Sequence, residues 1–99
     1  MSDPAKLREV CAILGQKHSL EIIAYLMYKE PHVKKIAEDT GIPYTTAQKR
    51  VVDMERAGLV TTWSDITQGQ GKHIKKVKLT RFLYTISPLN IQHYLEDSE

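Results

Sequence analysis

The feature that most constrains the fold is a change in the spacing of apolar residues at Gly58. Before Gly58, apolar residues recur with the spacing of helices that pack one face on a core. After it, the segment 59–66 is rich in β-branched and aromatic residues, which are typical of strands. The expected fold class is therefore α+β, mainly α-helical with a small antiparallel β-hairpin.

The first two helices have recognisable ends. A capping aspartate followed by Pro4 predicts a helix over 4–15. A second helix begins at His18 or Ser19 and ends before Pro31, because the residue before a proline avoids the helical conformation. The broad apolar stripe of this second helix is typical of a central core helix. Its apolar face is expected to comprise Leu20, Ile23, Ala24, Met27 and Tyr28, widened by Ile22 and Leu26.

A helix-turn-helix is expected over 33–57, with helices at 33–40 and 44–57 joined by a Gly-Ile-Pro turn. The small residues Ala37 and Ala47 let the two helix axes cross closely. That crossing leaves the N-terminal half of the second helix projecting from the domain.

The remainder of the chain is expected to form a hairpin and a last helix. The hairpin covers 59–80 around a glycine-marked turn, and a Ser-Pro cap begins a helix over 87–96. The pattern leaves open whether 82–86 continues the strand or begins the helix. We expect a single domain over 1–99, since the sequence contains neither an internal repeat nor a low-complexity linker.

Length and composition exclude several classes of protein. A chain of 99 residues is too short for a multi-domain enzyme with its own cofactor domain. No apolar run approaches the roughly 20 residues that span a bilayer, and the N terminus lacks a signal peptide, so a cytoplasmic location is expected. The single cysteine, Cys11, excludes an internal disulfide and is expected to be a small buried hydrophobe. No nucleophile or carboxylate cluster has catalytic spacing, so we expect neither an enzyme nor a cofactor.

The net charge of +2 conceals an uneven distribution. Residues 1–30 carry four bases and four acids, which sum to zero. Residues 31–81 carry ten bases and five acids, a balance of +5, and residues 82–99 carry no base and three acids, a balance of −3. A basic middle segment suits a surface that binds a polyanion, although an ordinary solvated surface would have the same composition.

The segment KKIAEDTGIPYTTAQKRVVDMERAGLV carries a family resemblance. It resembles the helix-turn-helix core of the ArsR/MarR-like winged-helix regulators of bacteria and archaea, over about residues 18–80. The resemblance implies that 33–40 is the positioning helix, 44–56 the recognition helix and 67–73 the wing. It also implies a homodimer that binds double-stranded DNA and represses transcription, with any small-molecule effector unknown.

Side-chain chemistry in the recognition helix agrees with this role. Its first turn offers backbone N–H groups to a phosphate, Gln48 can pair with adenine, and Lys49 or Arg50 can pair with guanine or phosphate. In the alternative interpretation Thr46 packs inward and Arg50 pairs with Asp53 or Glu55. The candidate DNA-binding residues of this helix are Tyr44, Thr45, Thr46, Gln48, Lys49 and Arg50.

Further cations are expected beside the DNA backbone. Lys34 and Lys35 open the positioning helix, where a solvated face is the alternative. Glycines in the wing turn are expected to be hairpin-tip residues, since their spacing does not fit a Walker phosphate loop. The candidate DNA-binding residues of the wing are Gln70, Lys72, His73, Lys75 and Lys76.

The two terminal helices present the expected dimer surface. One small core cannot easily bury both of their apolar stripes, so pairing with a second chain is expected. The alternative is that both helices cap the core of a monomer. His93 and Glu96 share one side of the last helix, but two ligands do not make a metal site, so none is expected. The candidate interface residues are Leu7, Val10, Cys11, Leu14, Leu89, Ile91, Tyr94 and Leu95.

Two other functions stay open on the sequence. A winged helix can serve as a protein-interaction module, which would favour an apolar recognition face. An architectural DNA-binding protein of low specificity would make mainly phosphate contacts, and the residue types are compatible with that.

Overall fold

The computed structural model describes residues 3–66 and 73–96. Five helices and a two-stranded antiparallel hairpin make up this part of the chain, so the α+β class expected from the sequence is confirmed. Within it, no helix has both the length and the apolar character needed to cross a membrane. The elements are α1 (Pro4–Leu14), α2 (Ser19–Leu26), α3 (Val33–Thr40), α4 (Tyr44–Arg56), β1 (Val60–Ile66), β2 (His73–Leu79) and α5 (Pro88–Glu96).

Helix α1 begins as the sequence predicts. The Asp3 carboxylate accepts hydrogen bonds from the backbone N–H groups of Ala5 and Lys6, at 3.0 and 3.3 Å, which satisfies two donors at the helix N terminus. The expected burial of Cys11 is wrong, because its side chain is exposed. Helix α1 turns Val10 toward the core, and the next residue lies about 100° further around the helix.

Helix α2 is shorter than the sequence predicts and ends at Leu26. Beyond it Tyr28 adopts a left-handed backbone conformation with φ +62°, which redirects the chain. The segment that follows lies beside the hairpin, where the Val77 N–H donates to the Pro31 carbonyl at 2.9 Å. The helix ends four residues before the residue that precedes the proline, because Met27 already has a non-helical ψ of 121°.

The predicted apolar face of α2 is confirmed at Ile22 and Leu26 and wrong at Leu20 and Tyr28. Ser19, Ile22 and Leu26 face the core, whereas Leu20 is 62% exposed and Tyr28 is 98% exposed. Because α2 is apolar almost all around, its sequence pattern fits more than one inward face, and packing against the other helices selects one.

Helices α3 and α4 pack against each other as the helix-turn-helix pattern predicts. Ile36 of α3 and Ala47 of α4 are completely buried, and Gly41 adopts φ +76° at the turn between the helices. A glycine at this position avoids the steric penalty that a side chain would carry. The buried core comprises Val10, Ile13, Ile22, Leu26, Val33, Ile36, Ile42, Ala47, Val51, Met54, Ala57, Leu59, Val60 and Val77.

The hairpin is fixed to the helices at its base. Its register pairs Val60 with Leu79 and Ile66 with His73, and Val77 is fully buried against the helices. The following segment, 80–86, forms neither a strand nor a helix, which answers the question that the sequence pattern left open. Helix α5 then contains no buried residue.

Candidate nucleic-acid interface

Three separate segments of the chain meet in one cleft. The N-terminal turns of α3 and α4, together with β2, line a cavity of about 320 Å³. Four of the residues singled out from the sequence lie together there, namely Lys34, Tyr44, Gln48 and Lys75. The complete lining is His32, Val33, Lys34, Tyr44, Gln48, Val51, Ile74 and Lys75.

A second hollow adjoins this cleft on the other side of Tyr44. It is lined by Lys34, Ala37, Glu38 and Tyr44 and has a volume of about 420 Å³. Tyr44, which is 48% exposed, lines both cavities. The first turn of α4 therefore presents an aromatic ring in the middle of this surface.

The other candidate residues of α4 occupy different sides of the helix. Thr45, Gln48 and Lys49 are exposed, whereas Thr46 is half-buried. The Arg50 Nε donates to the Lys17 carbonyl oxygen at 2.9 Å, which ties α4 to the turn between α1 and α2.

The pairing of Arg50 with Asp53 or Glu55, considered from the sequence, is not found. Asp53 instead forms an ion pair with Arg56 at 3.6 Å. The Glu55 carboxylate accepts hydrogen bonds from the backbone and hydroxyl of Thr62, at 3.2 and 2.6 Å. These contacts hold the C-terminal end of α4 against β1.

Ion pairs separate the lysines into two groups. Lys35 pairs with Asp39 at 3.3 Å, and Lys76 pairs with Asp65 at 3.5 Å. Within residues 3–66 and 73–96, no acidic partner lies within ion-pair distance of the other candidate lysines. These unpaired lysines are Lys34, Lys49 and Lys75.

Lys35 belongs to a small network between α2 and α3. The Tyr25 hydroxyl donates to the Asp39 carboxylate at 2.5 Å, and the Lys29 ammonium lies 4.1 Å from the centre of the Tyr25 ring. Burial, together with the Asp39 carboxylate, raises the pKa of Tyr25 to about 12. The hydrogen bond from Tyr25 lowers the pKa of Asp39, and Lys35 lowers it further. The network anchors α3 to α2, and its Lys35 does not line the cleft.

One residue of the cleft was missed in the sequence. The His32 Nδ1 accepts the backbone N–H of Lys35 at 3.1 Å, so this side chain caps α3. Its position just before the first apolar residue of α3 is the signal that could have identified it. Of the wing candidates, Gln70 and Lys72 lie outside the described residues, as does the side chain of His73.

The candidate dimer residues lie in different environments. Val10 is only 1% exposed and packs in the core of its own chain, so it has no surface to offer a partner. Cys11 is exposed, and Leu7 and Leu14 are half-buried. On α5, Tyr94 is half-buried, and the side chains of Leu89, Ile91 and Leu95 are exposed.

Helices α1 and α5 contribute jointly to a shallow groove of about 250 Å³. Its lining includes five of the candidate interface residues, namely Leu7, Cys11, Ile91, Tyr94 and Leu95. Among the described residues, no group of three or more His, Cys, Asp or Glu side chains is placed to hold a metal ion. Glu96 instead accepts a hydrogen bond from Gln92 at 2.9 Å.

No protein-family model matches the chain, and no curated protein matches it either. Several solved structures do match the chain. A homodimeric winged helix-turn-helix DNA-binding domain of a possible ArsR-family transcriptional regulator from Mycobacterium bovis is 19% identical, with a TM-score of 0.63 over 94% of this chain and 75% of that one. A transcriptional regulator homologue from Pyrococcus horikoshii OT3 is 21% identical, with a TM-score of 0.63 over 93% and 88%.

The transcriptional regulator HlyU from Vibrio vulnificus CMCP6 is also similar, at 17% identity and a TM-score of 0.58 over 93% of this chain and 83% of that one. The resemblance noted in the sequence is therefore supported by structures that share the fold. The chain has the winged helix-turn-helix fold, in which α3 and α4 form the helix-turn-helix and β1–β2 the wing.

Proposed function

We propose that this chain is a transcriptional regulator that binds double-stranded DNA as a homodimer, with α4 in the major groove. The observation that carries the proposal is the cleft between α4 and the wing, where Gln48, Lys34 and Lys75 converge. Three of the solved structures that share the fold are described as transcriptional regulators, and one of these as a DNA-binding domain.

The exposed side of α4 has the chemistry to read base pairs. An α-helix fits the major groove of B-DNA, and a glutamine can donate to and accept from adenine at the same time. Gln48 is exposed one helical turn after the N-terminal residue Tyr44. Lys34 and Lys75 line the same cleft, where they are suited to contact the phosphates that border the groove.

Apolar side chains exposed on α5 support the dimer. Leu89 is 61% exposed, and Ile91 and Leu95 are also exposed, although a small domain gains stability by burying such groups. The radius of gyration is 15.7 Å, against about 13 Å for a compact domain of this length. A two-fold dimer would present two copies of α4 to half-sites one helical turn of DNA apart. Occupation of a promoter by such a dimer would repress transcription.

The proposal can be tested with fluorescence anisotropy on two sets of duplexes. One is a random pool of about 30 base pairs, long enough for two half-sites, and the other is a genomic pool selected by the protein. We expect tighter binding to the selected pool and a strong dependence on salt. Equal affinity for both pools would favour an architectural protein, and no binding at low salt would refute DNA binding and favour a protein-interaction module.

The Gln48→Ala variant tests base reading directly. Loss of a bidentate contact should weaken binding to the selected DNA by about 1–3 kcal/mol while leaving random DNA unaffected. Arg56→Ala is the matched control, because Arg56 lies at the other end of α4 and pairs with Asp53. Equal losses on both pools would show that Gln48 contacts no base.

A further inference from the structure

The hollow beside Tyr44 differs in chemistry from the surface around it. Lys34, Ala37, Glu38 and Tyr44 line it, yet the lining surface is almost entirely apolar. The two charged residues therefore contribute mainly the carbon atoms of their side chains. An apolar depression thus adjoins the cleft that contains Gln48.

The position of this hollow restricts what it can contact when α4 lies in the major groove. Base edges in that groove present hydrogen-bond donors and acceptors, and the one apolar group among them is the 5-methyl group of thymine. A phosphate suits the hollow poorly, because its surface is almost entirely apolar and the Glu38 carboxylate opposes the attraction of the Lys34 ammonium for an anion.

We propose that this hollow binds the 5-methyl group of thymine, so that Tyr44 and Ala37 read a T·A base pair near the one that Gln48 contacts. The inference rests on the proposed function, since it requires α4 in the major groove. Tyr44 also lines the cleft that contains Gln48, which makes the hollow continuous with the proposed base-reading surface.

The distance between Tyr44 and Gln48 along α4 defines the spacing of the two base pairs that they read. Tyr44 and Gln48 are four residues apart, which is about 6 Å along a helix. Successive bases along a strand are about 3.4 Å apart. With α4 aligned along the groove, the thymine and the adenine lie about two base pairs apart in each half-site.

Removal of the thymine methyl groups tests this inference without knowledge of the operator. Duplexes selected from a random pool by the full chain are amplified in parallel with dTTP or with dUTP, which gives the same sequences with or without the methyl groups. We expect the thymine pool to bind more tightly by about fourfold for each methyl group buried in the hollow.

Variants assign the effect to the hollow. Tyr44→Ala should reduce the thymine-to-uracil affinity ratio by about fourfold per half-site, and Tyr44→Phe should preserve the ratio because the ring is retained. Tyr28→Ala is the matched control, since the Tyr28 side chain is almost fully exposed outside both cavities. Circular dichroism checks that each variant is folded.

The outcomes are distinguishable. Equal binding of wild-type protein to both selected pools, or an unchanged ratio in folded Tyr44→Ala, overturns the thymine site and leaves DNA binding intact. Failure to bind either pool refutes the proposed function and the thymine site together.

Discussion

Two neighbouring lysines of the wing should differ in how strongly they bind DNA. Lys75 lines the cleft beside Gln48, whereas Lys76 forms an ion pair with Asp65. Successive side chains of a strand point to opposite faces, so the two ammonium groups lie on different sides of the hairpin. The substitutions Lys75→Ala and Lys76→Ala therefore remove the same charge from different surfaces.

The expected magnitude follows from the release of counterions. Each phosphate contact adds about 0.9 to the slope of log affinity against log salt, so loss of the Lys75 contact lowers the slope by about 0.9 per subunit. For a homodimer, which loses two such contacts, the affinity lost in Lys75→Ala should then be about 12-fold greater at about 50 mM salt than at about 200 mM. For Lys76→Ala we expect a smaller change in slope, because Asp65 already balances its charge.

Anisotropy titrations of a random duplex at four salt concentrations measure both slopes. Equal changes for the two variants would show that the ion pair with Asp65 does not determine which lysine contacts DNA. An unchanged slope in Lys75→Ala would remove this side of the wing from the interface.

Three further variants test the dimer, the core and the network between α2 and α3. Leu89→Glu should convert a dimer to a monomer in light scattering, and an unaffected dimer would exclude the exposed face of α5 as the interface. Ile36→Ala should lower the free energy of unfolding by about 2–5 kcal/mol in urea titrations, whereas Leu20→Ala should change it by less than about 0.5 kcal/mol. The lowered pKa of Asp39 stabilises the fold at pH values above the unfolded pKa, and this contribution is lost as the pH falls through the folded pKa. Tyr25→Phe should therefore raise the pKa of Asp39 in NMR titrations and weaken the dependence of stability on acid pH. An unchanged pKa of Asp39 would contradict the role of the Tyr25 hydrogen bond.

Element types and several boundaries could be predicted because the relevant signals are local. Proline at the start of α1 and glycine after α3 act on the backbone of their own turn. The segment after α2 is instead bonded to β2 through Pro31 and Val77, which are 46 positions apart, and no local pattern contains that contact.

The residue types of the candidate site could be predicted from the sequence, but the contacts of each side chain could be predicted less well. Gln48 and Lys75 were identified because exposed polar residues of α4 and the wing suit DNA. Arg50 is also a polar residue of α4, yet its side chain donates to the backbone carbonyl of Lys17. A contact with a backbone acceptor elsewhere in the chain cannot be predicted from the pairing of charged side chains. The hollow beside Tyr44 was missed because its apolar surface comes partly from charged residues, which sequence patterns classify as polar.

The distribution of ion pairs explains how a weakly basic chain can direct its charge at one surface. The balance of +5 over residues 31–81 suggests a broad basic face, but the structure neutralises part of it. Asp39 and Asp65 hold Lys35 and Lys76 in ion pairs. The unpaired Lys34 and Lys75 both line the cleft that contains Gln48, so positive charge remains beside the proposed base-reading residue. Phosphate attraction would thus draw DNA to the position where Gln48 and Tyr44 can contact bases, which links the affinity of the surface to its specificity.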